Sequence, residues 1–168
     1  ADLVRRRVTC AQKLAVQGGS NGGLLTGNML VRSPHLFGAV LCQVPLLDMY
    51  RYSKLLAGAS WMGEYGDPDT EDWDFLQKYS PYHNVRPDVD YPPILFTTST
   101  RDDRVHPGHA RKMVAKMLDL QLPGVYYYEN IEGGHGGAAD PKQQAFMLCL
   151  YYEFVKRTVG AALAKDKA

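Results

Sequence analysis

Gly18-Gly19-Ser20-Asn21-Gly22-Gly23 lies between the mostly apolar run Leu14-Ala15-Val16-Gln17 and a helix-forming stretch from Leu24 to Val31. A G-x-S-x-G sequence between a strand and a helix is the pattern of a nucleophile elbow. The serine is held in a strained turn that lifts its hydroxyl clear of the sheet, and glycines two before and two after are expected to let the chain pass close around it. Asn21 would then offer its backbone N–H at a helix N-terminus, where oriented donors stabilise an oxyanion. The plainer reading is a glycine-rich connection in which Ser20 caps the helix.

Serine is a weak nucleophile near neutral pH, so the elbow requires an acid and a histidine downstream. The strand-like run Ile94 to Thr98 leads into Ser99-Thr100-Arg101-Asp102-Asp103-Arg104-Val105, which places a carboxylate just past a strand end. A second run, Val125 to Asn130, leads into Ile131-Glu132-Gly133-Gly134-His135-Gly136-Gly137, an open loop from which an imidazole can reach a serine. The order Ser, Asp, His, each at a strand end, is that of an α/β-hydrolase fold.

Several longer stretches carry a specific resemblance: GGSNGGLL at 18–25, LFGAVLCQVPLLDM at 36–49, SWMGEYGDP at 60–68, YSPYHNV at 79–85, RDDRVHPGHA at 101–110 and GGHGG at 133–137. Together they span nearly the whole chain, which resembles the C-terminal part of the catalytic domain of the prolyl oligopeptidase family. Those are serine peptidases in which a β-propeller caps an α/β-hydrolase domain. Ser-Asn at the elbow, rather than Ser-Tyr or Ser-Ala, points to the prolyl oligopeptidase branch itself. The resemblance implies Ser20 as nucleophile, Asp102 as triad acid and His135 as base, with Asp103 bonding local backbone or an arginine. It further implies that Arg104 binds a substrate backbone carbonyl and that Trp61 stacks on a substrate proline ring. Tyr65 and Leu46 would line the same pocket. Each has a plainer reading: an ion pair to the neighbouring aspartates for Arg104, and ordinary core packing for Trp61, Tyr65 and Leu46.

With 168 residues, 45% of them hydrophobic, and a net charge of +1, the chain can bury one sizeable core. It shows no electrostatic bias toward nucleic acid, and Arg5-Arg6-Arg7 reads as a solvated helix end. No apolar stretch approaches the roughly 18 residues of a membrane span. Cys10, Cys42 and Cys149 form no metal-ligand pattern and read as reduced and structural, with Cys42 and Cys149 in apolar runs. The cytoplasm is the expected compartment; the periplasm stays open because a leader would lie upstream.

Strands and helices alternate. Strands are expected at Lys13 to Gln17, Gly38 to Val44, Ile94 to Thr98 and Val125 to Asn130, mostly parallel and flanked by helices. Helices are expected at Asn21 to Arg32, after Pro107 and after Pro141, and a helix-like segment, Asp2 to Arg7, opens the chain. The aromatic, irregular region from Asp48 to Tyr91 is a candidate pocket wall, and Ala161 to Ala168 a frayed tail. An α/β-hydrolase sheet has about eight strands and takes one oxyanion donor from a loop well upstream of the nucleophile. Only about four strands are present, so the expectation is a fragment of a longer chain, lacking the upstream strands and propeller.

The resemblance implies hydrolysis of short peptides on the carboxyl side of proline, with no cofactor and no metal. The missing N-terminal part of the same protein is the expected partner, and self-association is expected of the chain alone. Two alternatives are a folded but inactive assembly half, and a metal hydrolase built on His106, His109 and Asp102 or Asp103.

Overall fold

The apolar runs become strands of a parallel sheet whose order, β1-β2-β3-β4, follows the chain. In a computed structural model describing residues 1–160, these are β1 (Ala15–Gly19), β2 (Ala39–Gln43), β3 (Ile94–Ser99) and β4 (Val125–Asn130). The expected tail at Ala161 to Ala168 lies outside the described residues. Helices are α1 (Asp2–Arg5), α2 (Asn21–Arg32), α3 (Met62–Tyr65), α4 (Trp73–Leu76), α5 (Pro81–Asn84), α6 (Gly108–Asp119) and α7 (Pro141–Val155). β1 begins later than expected because Ala11–Lys13 forms a 3-10 turn, and it ends later because Gly18 and Gly19 pair in register with Cys42 and Gln43. All three strand pairings are parallel.

β3 is buried along its length, its polar second half Thr97-Thr98-Ser99 included, and β2 along all but its last residue, as expected of inner strands of a parallel sheet. Alternation divides their side chains between two faces. Val40, Cys42, Ile94 and Phe96 join Leu30 of α2 and Met113 and Met117 of α6 in one core. Ala39, Leu41 and Leu95 face the other way, against Phe154 of α7 and Val159. Cys149, expected in a packed position, is instead exposed, because α7 turns that side away from the sheet. Cys42 is buried, and that burial pushes its thiol up to about 12.

Residues 48–91 form a chain of single turns enclosing a smaller core of Leu24, Leu46, Met49, Tyr52 and Leu76, with Trp61, Tyr65 and Trp73 packed on it. One end is fixed by the fully buried Asp48. Its carboxylate accepts from Lys112, from Arg51 Nη1 at 3.2 Å, and from the amides of Tyr50 and Arg51 at 3.1 and 3.2 Å. Burial alone would raise its pKa, but the bond and charge of Lys112 outweigh this and hold it below the usual carboxylate range.

The second sheet face is thinly covered. Phe146, Leu148 and Tyr152 of α7 are exposed. Leu148, Tyr151, Tyr152 and Val155 border a depression with Ala15 and Gln17 of β1. Among the described residues, β1 pairs only with β2, which leaves its outer edge open. No described helix is long and apolar enough to cross a membrane.

Candidate active site

Ser20 directly follows β1 and stands at the N-cap position of α2, with φ +59° and ψ −117°. That is a left-handed region costly for any residue with a side chain, on the order of 1–3 kcal/mol. A capping serine would have extended backbone and would accept a hydrogen bond from the first helical turn. Ser20 does neither, since its side chain makes no capping bond. Its amide is pinned to the carbonyl of Gln43 at 2.9 Å, so the sheet itself holds the strained turn.

The glycines divide their work differently from the expectation. A Cβ on Gly18 would lie 2.4 Å from the carbonyl oxygen of Gly22, and one on Gly23 would lie 2.6 Å from Pro45 Cβ. A Cβ on Gly22 would meet nothing within 4 Å. The chain crosses tightly at 18 and 23, and Gly22 is required only for its backbone.

Asp102 and His135 meet across the ends of β3 and β4. His135 Nδ1 lies 3.0 and 2.9 Å from the two carboxylate oxygens of Asp102. Asp102 is 3% exposed, and its Oδ1 also accepts from the amides of Arg104 and Val105, both at 2.9 Å. This turn points the first aspartate inward and leaves Asp103 at the surface. An imidazole held by a carboxylate at Nδ1 keeps Nε2 available for a proton from a hydroxyl. Among the described residues, no hydrogen bond joins Ser20 to His135, which border adjoining clefts. His135 faces Thr97, Thr98 and Gly19, and Ser20 faces the aromatic wall.

The Ser20 cleft holds about 130 Å³ and opens to solvent, and it is lined by Asn21, Leu46, Trp61, Tyr65 and Arg104 together with Glu64 and Val105. All four pocket residues expected from sequence therefore meet beside Ser20. Leu46 is also core, at 2% exposure, whereas Trp61 and Tyr65 are half-buried. Among the described residues, Arg104 forms no ion pair with either aspartate and touches Asp102 only through its amide. The Tyr65 hydroxyl donates to Asn21 Oδ1 at 2.7 Å. Burial and the charge of Glu64 raise the tyrosine's pKa, which keeps it protonated as a donor.

The histidines of the metal reading are otherwise engaged. His106 Nδ1 accepts from the amide of Gly108 at 2.9 Å, and His109 Nδ1 from those of Asp48 and Leu47 at 3.0 and 3.3 Å. Burial lowers the pKa of His109 to about 4, so it is a neutral acceptor at physiological pH. It fixes the backbone next to Leu46. Sequence reasoning missed this role, since the partners lie far apart along the chain.

Comparison with known proteins supplies the lineage. Residues 1–162 match the model of the prolyl oligopeptidase family. An uncharacterized peptidase, y4nA, of Sinorhizobium fredii is 51% identical over 92% of this chain and 21% of its own length. The prolyl oligopeptidase ophP of Omphalotus olearius is 45% identical over 96% and 22%. Among solved structures, a prolyl endopeptidase superposes with a TM-score of 0.88 at 42% identity, covering 95% of this chain and 24% of that one. A post-proline cleaving enzyme from Rickettsia typhi does so at 0.88 and 38%, covering 95% and 23%. The chain spans about a fifth of the length of the curated relatives it matches. An elbow serine at one strand end, a carboxylate–imidazole pair at two others and a match along nearly its whole length agree: this chain belongs to the prolyl oligopeptidase family.

Proposed function

We propose that the chain carries the reacting groups of a serine peptidase that cleaves short peptides on the carboxyl side of proline. The observation that supports this most is the buried Asp102 carboxylate 2.9 Å from His135 Nδ1, beside a serine whose strained turn leaves it out of helix capping. Ser20 attacks the scissile carbonyl. His135 takes the serine proton and returns it to the leaving amine, while Asp102 holds the ring's tautomer and stabilises its charged form. The amide of Asn21 is one oxyanion donor. Trp61 presents a flat apolar face to the substrate proline and Arg104 binds a peptide carbonyl. The related Rickettsia protein is described as a post-proline cleaving enzyme, in keeping with this choice of substrate.

The relatives' greater length supports a further part of the reading. The open edge of β1 and the apolar face of α7 are covered in the intact protein by its upstream part, which also supplies the second oxyanion donor. The test is labelling of the intact protein with a fluorophosphonate. Ser20→Ala should abolish both labelling and peptidase activity, since loss of a triad member costs several orders of magnitude in turnover. Persistent labelling of the alanine variant would overturn the assignment.

A further inference from the structure

His135 is carried between β4 and α7 on a loop with glycines at 133, 134, 136 and 137, the residue type least able to hold one backbone path unaided. The loop is nevertheless bracketed on both sides of the histidine by one side chain. Asn130, 5% exposed at the end of β4, accepts at Oδ1 from the amides of Glu132 and Gly133, at 2.9 and 3.1 Å. Its Nδ2 donates to the carbonyl of Gly137 and to Gln143 Oε1, both at 2.9 Å. Both donors and both acceptor positions of the amide are used. Gln143 extends the restraint into α7. Its Oε1 also accepts from the amide of Ala139 at 2.9 Å, and its Nε2 donates to Glu132 at 2.5 Å. Asn130 stands in register with Ser99, and its carbonyl accepts from the amide of Thr100, so its anchor shares a sheet end with the turn that holds Asp102.

We propose that Asn130, working with Gln143, is the positioning residue that sets the path of the His135 loop. Asp102 orients the ring, and Asn130 fixes the backbone that delivers it. This inference rests on the reading of His135 as general base. Misplacement of a reacting group by about 1 Å can cost 10²-fold in rate, so the effect falls on turnover rather than on substrate binding.

The test uses the intact protein and a chromogenic proline peptide. Asn130→Asp keeps both accepted bonds and loses both donated ones. Gln143→Ala removes the outer bracket from the half-buried start of α7. In both, kcat should fall on the order of 10-fold to 100-fold with KM within about threefold. The low-field proton resonance of the His135–Asp102 pair should broaden or shift in both. In a His135→Ala background, adding Asn130→Asp should cost nothing further. If Asn130→Asp fails to fold, Gln143→Ala decides alone. Unchanged kcat and an unchanged resonance in the folded variants, with His135→Ala inactive, would overturn the positioning role and leave the general base standing. Full activity in His135→Ala would overturn the general base and this inference with it.

Discussion

The Tyr65 hydroxyl donates to the side chain of Asn21 at 2.7 Å, joining the aromatic wall of the cleft to the residue that follows the elbow serine. A change in the wall can therefore reach Asn21, the proposed oxyanion donor, without touching substrate. Tyr65→Phe keeps the ring and removes the bond. In the intact protein it should lower kcat/KM by roughly threefold to tenfold, the worth of one hydrogen bond of about 0.5–1.5 kcal/mol. Unchanged steady-state kinetics would show that the bond carries no function.

Trp61 tests the substrate reading. If its face stacks on proline, Trp61→Ala should impair a proline substrate more than the matching alanine substrate, by on the order of 1 kcal/mol or more. Equal losses on the two substrates, in a variant shown by circular dichroism to be folded, would make the tryptophan structural.

The glycines of the elbow should respond unequally. Gly18→Ala drives a methyl group into the Gly22 carbonyl and should prevent stable folding. Gly22→Ala points into open space in a helical position and should keep the fold, with a gain of up to roughly 0.5–1 kcal/mol. Denaturant midpoints of the two variants decide the matter; a reversed order would contradict the crossing geometry.

His109 sets a direction for acid sensitivity. Its pKa falls from 6.5 to about 4 on burial, so the folded state binds fewer protons there than the unfolded state. The stabilisation is present above pH 6.5 and is lost as pH drops toward 4, on the order of 3 kcal/mol in all. His109→Gln should flatten the stability profile between those pH values. A profile as steep as the parent's would assign acid sensitivity in this window elsewhere, with His83, whose pKa burial also lowers from 6.5, next in line.

The chain on its own should self-associate and turn over peptides poorly. An open β1 edge beside exposed Leu148 and Tyr152 offers unpaired backbone and apolar surface together. Loss of one oxyanion donor costs roughly 10²–10³ in turnover. Light scattering that finds a monomer, with turnover equal to that of the intact protein, would contradict both statements. A dimer whose contact avoids β1 and α7 would contradict the first alone.

The elbow was legible in the sequence because its signal is local: glycine spacing, a strand before and a helix after. β2 was legible because a strand buried on both faces needs a near-continuous apolar run, and β3 because Ile94-Leu95-Phe96 is followed by two β-branched threonines. The choice between Asp102 and Asp103 is not written in composition, since both are carboxylates on one loop. It depends on a turn in which the amides of 104 and 105 close on the first of them. Gly22 was misjudged because the motif implies that glycine is needed for its missing side chain, whereas the clash belongs to its neighbour across the turn. Asp48 with Lys112, and His109 with the amides of residues 47 and 48, stayed invisible because their partners meet only after the crossovers have closed.

Sheet order that follows chain order also has a consequence for synthesis. From β2 to β4 each strand pairs with the one made just before it, so this part of the sheet can be extended strand by strand as the nascent chain emerges, with none of the three waiting for a later strand to be inserted. Ser20 is placed when β2 arrives, and Asp102 when β3 is laid down. His135 follows β4, on a loop that closes only once α7 has supplied Gln143. The carboxylate–imidazole contact is thus among the last parts of this unit to form, and a ribosome-bound chain that ends before α7 holds Ser20 in place without the proposed base beside it.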